Sequence, residues 1–141
     1  MKRNEFDARF RKHMRWILTA GKDGERGDFR GADLDGYNLH GHTLEGADFE
    51  GASLRGAELI RAELSRANLR DADLSGAFMH RTVMVATDLT EANLSGAELN
   101  HAVLERAVLK SANLANADLY ETRLDGAVLE DAVLEGVLGM A

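Results

Sequence analysis

The 141-residue sequence contains no cysteine and no proline, and aromatic residues make up only 6% of it. Without cysteine there is no disulfide framework, no thiolate nucleophile and no cysteine-ligated zinc. With so few aromatics, a core of large interlocking rings is excluded. No apolar run exceeds three or four residues, far short of the ~20 that cross a bilayer. No apolar signal-peptide core follows the basic start Met1-Lys2-Arg3. These absences predict a single cytoplasmic domain with no membrane association.

What is present is a period of five. From Gly27 onward the chain divides into GDFRG, ADLDG, YNLHG, HTLEG, ADFEG, ASLRG and so on. The central residues run from Phe29 to Leu134 in 22 positions, of which 18 are Leu, two are Phe (29 and 49) and two are Met (79 and 84). The residue two before each is Ala at 16 of 22 positions, the exceptions being Gly27, Tyr37, His42, Thr82, Thr87 and Thr122. A helix needs apolar spacings of three and four, so steps of five would scatter the leucines around it. In a flat strand an odd step flips each leucine to the opposite face. The chain must therefore turn once in every five residues to keep all its leucines pointing inward.

This pattern resembles that of the pentapeptide repeat family, A(D/N)LXX, matched by Ala32-Asp33-Leu34, Ala67-Asn68-Leu69, Ala92-Asn93-Leu94 and Ala112-Asn113-Leu114. The resemblance implies an all-β solenoid, a right-handed quadrilateral β-helix with one repeat per side and four sides per coil. Over residues 27–137 this gives five to six coils, stacked ~4.8 Å apart into a rod of about 26 Å. Residues twenty apart then form columns. Gly36, Gly56, Gly76, Gly96 and Gly136 share one, interrupted by Asn116, which suggests a left-handed corner there.

Residues 1–20 break the repeat and read as an amphipathic capping helix, with residues 21–26 as linker. Asn4 is a candidate N-cap with Asp7 three residues on, and Gly21 follows the last turn. Phe6, Phe10, His13, Met14 and Ile17 share one face, with Trp16 and Leu18 at its edges. Lys2, Arg9, Arg11, Lys12 and Arg15 lie opposite. The first coil of a solenoid needs a lid. Tyr37 and His42, bulky exceptions in the small column, are expected to pack beneath this helix with Phe6, Phe10, Met14 and Ile17. A basic helix could instead meet an anionic membrane or nucleic acid.

At the other end, residues 138–141 read as a short tail, and Leu134, Val137, Leu138 and Met140 form an apolar surface that would join two chains end to end in a twofold homodimer. The alternative is that the final residues fold over their own coil.

Residues 1–26 carry a net charge of +4 and the remainder -11, within a total of -7. An acidic rod does not bind phosphate along its sides. The leading functional expectation is a non-catalytic protein-binding or scaffold module. Its candidate patch, on two adjoining sides of the middle coils, is Ile60, Phe78, Val83, Val85 and Val103, beside His80, His101 and Arg81. The resemblance also implies a second reading, a DNA-mimicking modulator with DNA gyrase as partner, as in relatives linked to quinolone resistance. Against it stand the short rod, the lack of inserted loops and of a separate C-terminal dimerisation helix, and the cations Arg61, Arg66, Arg81 and Arg106 among the carboxylates. Asp and Asn before the central Leu have a simpler role in turn hydrogen bonding. A convex rod filled with leucine offers no concave catalytic site. No phosphate-cradling loop or HExxH motif occurs, so no cofactor is expected. His40 and His80 lie two coils apart, ~9.6 Å, too far to share a metal. His80 and His101 could be neighbours but lack a third ligand.

Overall fold

The computed structural model describes residues 1–140. It opens with one helix, α1, over Arg3–Leu18, followed by a solenoid in which every β-bridge joins residues twenty apart and parallel, from Asp28↔Asp48 to Asp118↔Leu138. Four bridge positions occur per twenty residues, so the coil has four sides and residues 28–138 make five and a half turns. Each side pairs through a single residue, and no longer strand forms among the described residues. Because Leu138 bridges Asp118, the last coil reaches one residue beyond the expected boundary at 137.

The period of five has a simple local cause. The central residue of each repeat opens a β-turn, as when Tyr37 N–H donates to the Leu34 carbonyl at 3.0 Å. The turn's third residue has positive φ, 69° at Gly36, which is the type II requirement. The expectation of one special glycine column is too narrow. Left-handed residues recur every five positions from Gly31 to Gly136, on all four sides, and twelve of these 22 corners are not glycine. Arg61, Arg66, Arg81 and Arg106 are among them, with φ between 57° and 59°. An outward corner tolerates a side chain sterically, at the cost of backbone strain.

The same polar residues that precede each leucine clamp the turn. Asn38 Oδ1 accepts from His40 N–H at 3.0 Å and Asp73 Oδ1 from Ser75 N–H at 3.0 Å, a pattern repeated down the rod. These are Asx turns, the simpler role expected for Asp and Asn at this position. Between coils, Leu34 N–H donates to the Ser53 carbonyl at 2.7 Å and Ser53 N–H to the Ala32 carbonyl at 2.9 Å. The inward leucines are buried from Leu34 to Leu119, with alanines filling the spaces between them. Where Thr replaces Ala, its hydroxyl finds a carbonyl one coil earlier: Thr82 reaches Leu59, Thr87 Leu64 and Thr122 Leu99, at 2.7 to 2.8 Å. Met79 and Met84, unbranched and adaptable, fill the axis beside the first two of these.

The helix is the expected lid. Phe6 is fully buried, stacks on Phe29 at 4.9 Å between ring centroids, and Phe29 stacks on Phe49 at 5.0 Å, so the axis of the solenoid continues into the cap. Tyr37 and His42 pack as anticipated: Phe6 lies 6.0 Å from each, and Phe10 lies 4.6 Å from His42. Met14 and Ile17 are half-buried and stay outside the packed core, whereas Met1 joins it.

Two details of the helix differ from expectation. Its N-cap position is Lys2, with no side-chain cap, and Asp7 pairs with Arg3 at 3.1 Å in place of a capping box with Asn4. The start is anchored instead by the first coil, whose upward carbonyls have no preceding coil to bond. The Met1 amino group donates to Asp33 O at 3.2 Å, Arg3 to Asn38 O at 3.0 Å and Arg9 to Asp28 O at 2.6 Å. Arg9, expected on the face turned away from the solenoid, therefore belongs to the lid's underside. Lys12 and Arg15 pair with Glu25 at 3.8 Å and Asp23 at 2.5 Å.

Candidate protein-binding surface

Columns of bridged residues define what each side presents. The first side runs Asp28, Asp48, Asn68, Asp88, Val108, Val128, and the second Asp33, Ser53, Asp73, Asn93, Asn113, Val133. The third runs Asn38, Glu58, Phe78, Glu98, Asp118, Leu138, and the fourth Thr43, Glu63, Val83, Val103, Arg123. Counting each side with the corner after it, the first carries eight carboxylates against three cations and the second four against one. The third carries four against two and the fourth four against three. Negative charge is thus concentrated on two adjoining sides.

Many carboxylates are engaged. Asp35 accepts from Arg55 one coil on, at 2.7 and 3.0 Å, and from the Ser53 hydroxyl at 2.5 Å. These bonds, the arginine's foremost, hold its carboxyl down at about 2. Arg30 does the same for Asp28, also about 2. Burial works to raise Asp88, but the Thr90 hydroxyl and N–H together with Arg70 outweigh it, so its pKa is lowered. Arg66 meets Glu45 at 2.6 Å, and Arg123 meets Glu105. Arg55, Arg66, Arg70 and Arg123 are therefore inter-coil ties, and of the four cations singled out in the sequence only Arg66 is among them.

The five residues of the expected patch fall on two adjoining sides of the middle coils, the third and the fourth. Val83 and Val103 pair directly on the fourth side, with Val85 at the next corner, and all three are half-buried. Ile60, also half-buried, sits at the corner between the third and fourth sides. Phe78 is 40% exposed but lies on the third side between Glu58 and Glu98. Further exposed apolar residues lie lower on that side, Tyr120 57%, Leu138 62% and Met140, separated from Phe78 by Glu98 and Asp118. Tyr120, Val128 and Val133 were not anticipated, although the sequence carries their signal: columns polar in the upper coils become apolar in the last.

His80 pairs with Glu98 at 2.7 Å and His101 with Glu121 at 3.1 Å, each with a carboxylate of a neighbouring coil. No group of three or more His, Asp or Glu side chains disposed to hold a metal ion occurs among the described residues. The grooves lie at the junction of helix and first coil, one of about 300 Å³ beside Arg9, Lys12 and Arg26 and one of about 340 Å³ beside Trp16 and Glu45. Both are shallow and face solvent. Among the described residues no helix is long and apolar enough to cross a membrane.

At the lower end, Leu134 is 37% exposed, although the same column is sealed above it. Val137 is half-buried, and Leu138 and Met140 are exposed. Leu138 is held by its bridge to Asp118, and so does not fold over the coil end.

The profile of pentapeptide repeats matches the sequence in eight copies, over residues 25–51, 47–84, 62–97, 87–126 and 112–137. The chain belongs to the pentapeptide repeat family. Among solved pentapeptide repeat proteins it is similar to Rfr23 from the cyanobacterium Cyanothece 51142, at 24% identity and TM-score 0.46, over 84% of this chain and 63% of that one. It is 35% identical to HetL of Nostoc sp. strain PCC 7120, a protein involved in heterocyst differentiation regulation, with TM-score 0.39, over 81% of this chain and 65% of that one. QnrB1, a plasmid-mediated fluoroquinolone resistance protein, is 17% identical with TM-score 0.44, over 84% and 68% of the two chains. The chain spans less than two thirds of the length of Rfr23 and of HetL. No curated protein matches it. Pentapeptide repeats form quadrilateral β-helices, and the twenty-residue bridge register is the four-sided coil of that family.

Proposed function

We propose that this pentapeptide repeat protein is a non-catalytic scaffold whose rigid, acidic rod presents side-chain columns to a protein partner in the cytoplasm. The right-handed wind implied by the family is part of this reading, and is the hand that parallel connections take. The observation that supports it is the unequal surface: carboxylates concentrate on the first and second sides, while exposed apolar side chains occur on the third, Phe78 in the middle coils and Tyr120 and Leu138 near the lower end. Large apolar side chains held on a stiff, leucine-filled frame lose little freedom on binding, which favours them as contact residues. The site residues are Phe78, with Ile60, Val83, Val85 and Val103 on the adjoining corners and side.

The test is comparative crosslinking and mass spectrometry in the native host, with wild type, a Phe78→Glu/Val83→Glu variant and an Asp71→Lys control on the first side. Loss of the same captured protein from the double variant alone is the expected result. An identical capture profile from all three chains would overturn the assignment of the apolar sides.

A second reading, DNA mimicry toward DNA gyrase, is favoured by one feature, the eight carboxylates of the first side. A supercoiling assay separates the two: inhibition relieved by Asp71→Lys and Glu91→Lys supports mimicry, and no effect at large excess removes it. End-to-end pairing through Leu134, Val137, Leu138 and Met140 belongs to either reading. A monomeric mass at micromolar concentration would exclude it.

A further inference from the structure

His13 is the buried titratable group that neither packing of the coils nor the proposed surface uses. It sits on the underside of α1 with no exposure to solvent, stacked against Trp16 at 5.5 Å between ring centroids. Its Nδ1 accepts the backbone N–H of Gly27, the residue at which the linker enters the first coil, at 2.8 Å. Nδ1 must therefore carry a lone pair, and the ring proton resides on Nε2, which is buried and makes no well-formed hydrogen bond, the Glu45 carbonyl being the backbone acceptor near the ring.

From this geometry we infer that His13 is a proton-sensitive latch, which holds the helical lid on the solenoid as a neutral imidazole and releases it when a proton is added. The incoming proton has one place to go, Nδ1. Adding it turns the acceptor into a donor, so the Gly27 N–H then faces another N–H, and a full charge is left on a side chain buried from solvent. Gly27 follows Arg26, which is tied to the Gly46 carbonyl, so the break falls where the lid is fastened. Opening would uncover the Phe6–Phe29 stack and the top ring of Leu34, Leu39 and Leu44.

The charged groups around the ring do not rescue the imidazolium. Burial is the largest influence and lowers the pKa of His13 below its usual 6.5, and Arg26 of the linker adds to the lowering. Glu45 of the first coil opposes both, through its carbonyl and its carboxylate, but that carboxylate is engaged by Arg66 at 2.6 Å. The cations flanking His13 on α1 itself, Lys12 and Arg15, are paired with Glu25 and Asp23. A base whose folded pKa is depressed contributes stability above its unfolded value. That stability is lost progressively as pH falls below 6.5 and levels off below the folded pKa.

Trp16 is the only tryptophan and lies against the latch, so its emission reports the event. In the full-length protein, lowering pH from 7.5 to 5 is expected to red-shift Trp16 emission. Amide protons in residues 3–18, with exchange corrected for intrinsic rates, should lose protection while those of the coils keep theirs. His13→Asn retains an oxygen acceptor for Gly27 and has no proton to gain, so it should abolish both changes. A His13→Asn protein with the same pH response as wild type would overturn the latch, because carboxylates would then be responsible. Should that variant fail to fold, the nuclear magnetic resonance titration of His13 in the wild type decides alone. A midpoint below 6.5 with the proton on Nε2 supports the latch, and a midpoint at or above 6.5 refutes it.

Discussion

Exchanging the residues at two corners, Ala86→Gly and Gly76→Ala, tests the backbone basis of the five-residue turn. Ala86 has φ 57° and Gly76 φ 64°. Both are exposed, and a Cβ built on Gly76 meets nothing within 4 Å. Neither substitution therefore changes packing, and only the conformational terms remain. A left-handed backbone costs a residue with a Cβ roughly 1–2 kcal/mol. Glycine loses about 0.5–1 kcal/mol more chain entropy on folding. The difference leaves Ala86→Gly more stable by about 0.5–1 kcal/mol and Gly76→Ala less stable by a similar amount.

Urea unfolding followed by circular dichroism reads these shifts, with the slope checked for constancy across the set. Because positions 76 and 86 lie on non-adjacent corners, the double exchange should return close to wild type. Gly126→Ala supplies the contrast: its Cβ would approach Arg106 Cγ at 3.2 Å, so its cost should exceed that of Gly76→Ala. Destabilisation by Ala86→Gly would refute the reasoning, since the corner would then not be holding alanine in a strained conformation.

Burial separates the middle of the leucine column from its end. Leu69→Ala, at a fully buried position, should cost about 2–5 kcal/mol, whereas Leu134→Ala, 37% exposed, should cost under about 1 kcal/mol. Equal losses in urea unfolding would contradict the open coil end. The Asp35–Arg55 tie has a pH signature. The carboxyl is held at about 2 in the folded chain, so its stabilisation is complete above the unfolded value near 4 and disappears as pH falls toward 2. Asp35→Asn should flatten the acid limb of the stability profile in that interval, and an unchanged limb would show that the tie contributes nothing.

How much could be read from the residues depended on whether a feature is carried by a column or by a single contact. The repeat register, the inward leucines and the lid with Phe6, Phe10, Tyr37 and His42 are periodic or bulky signals, and each survives in the structure. The corners were legible only through glycine, because positive φ leaves no mark on Arg61 or Glu91 in the sequence. Asn4 resembled an N-cap because local patterns dominate such an assignment. It failed because the helix start is fixed by the coil it covers, through Arg3, Arg9 and the Met1 amino group. Those same bonds change the meaning of the basic helix. Charges that suggested a membrane or nucleic acid partly serve as donors to carbonyls that a preceding coil would otherwise bond, and Lys12 and Arg15 are tied to their own linker. The apolar patch, by contrast, lies on the two adjoining sides that twenty-residue stacking gives, with a column of valines one corner away from the column that holds Phe78. A solenoid's surface is one-dimensional in sequence and four-sided in space, so adjacent apolar repeats lie on different sides while residues twenty apart make a line. The third side shows this: Phe78 and Leu138 share one column with Glu98 and Asp118 between them, and Tyr120 sits at the adjoining corner, a placement visible only when the coil length is used to align the repeats.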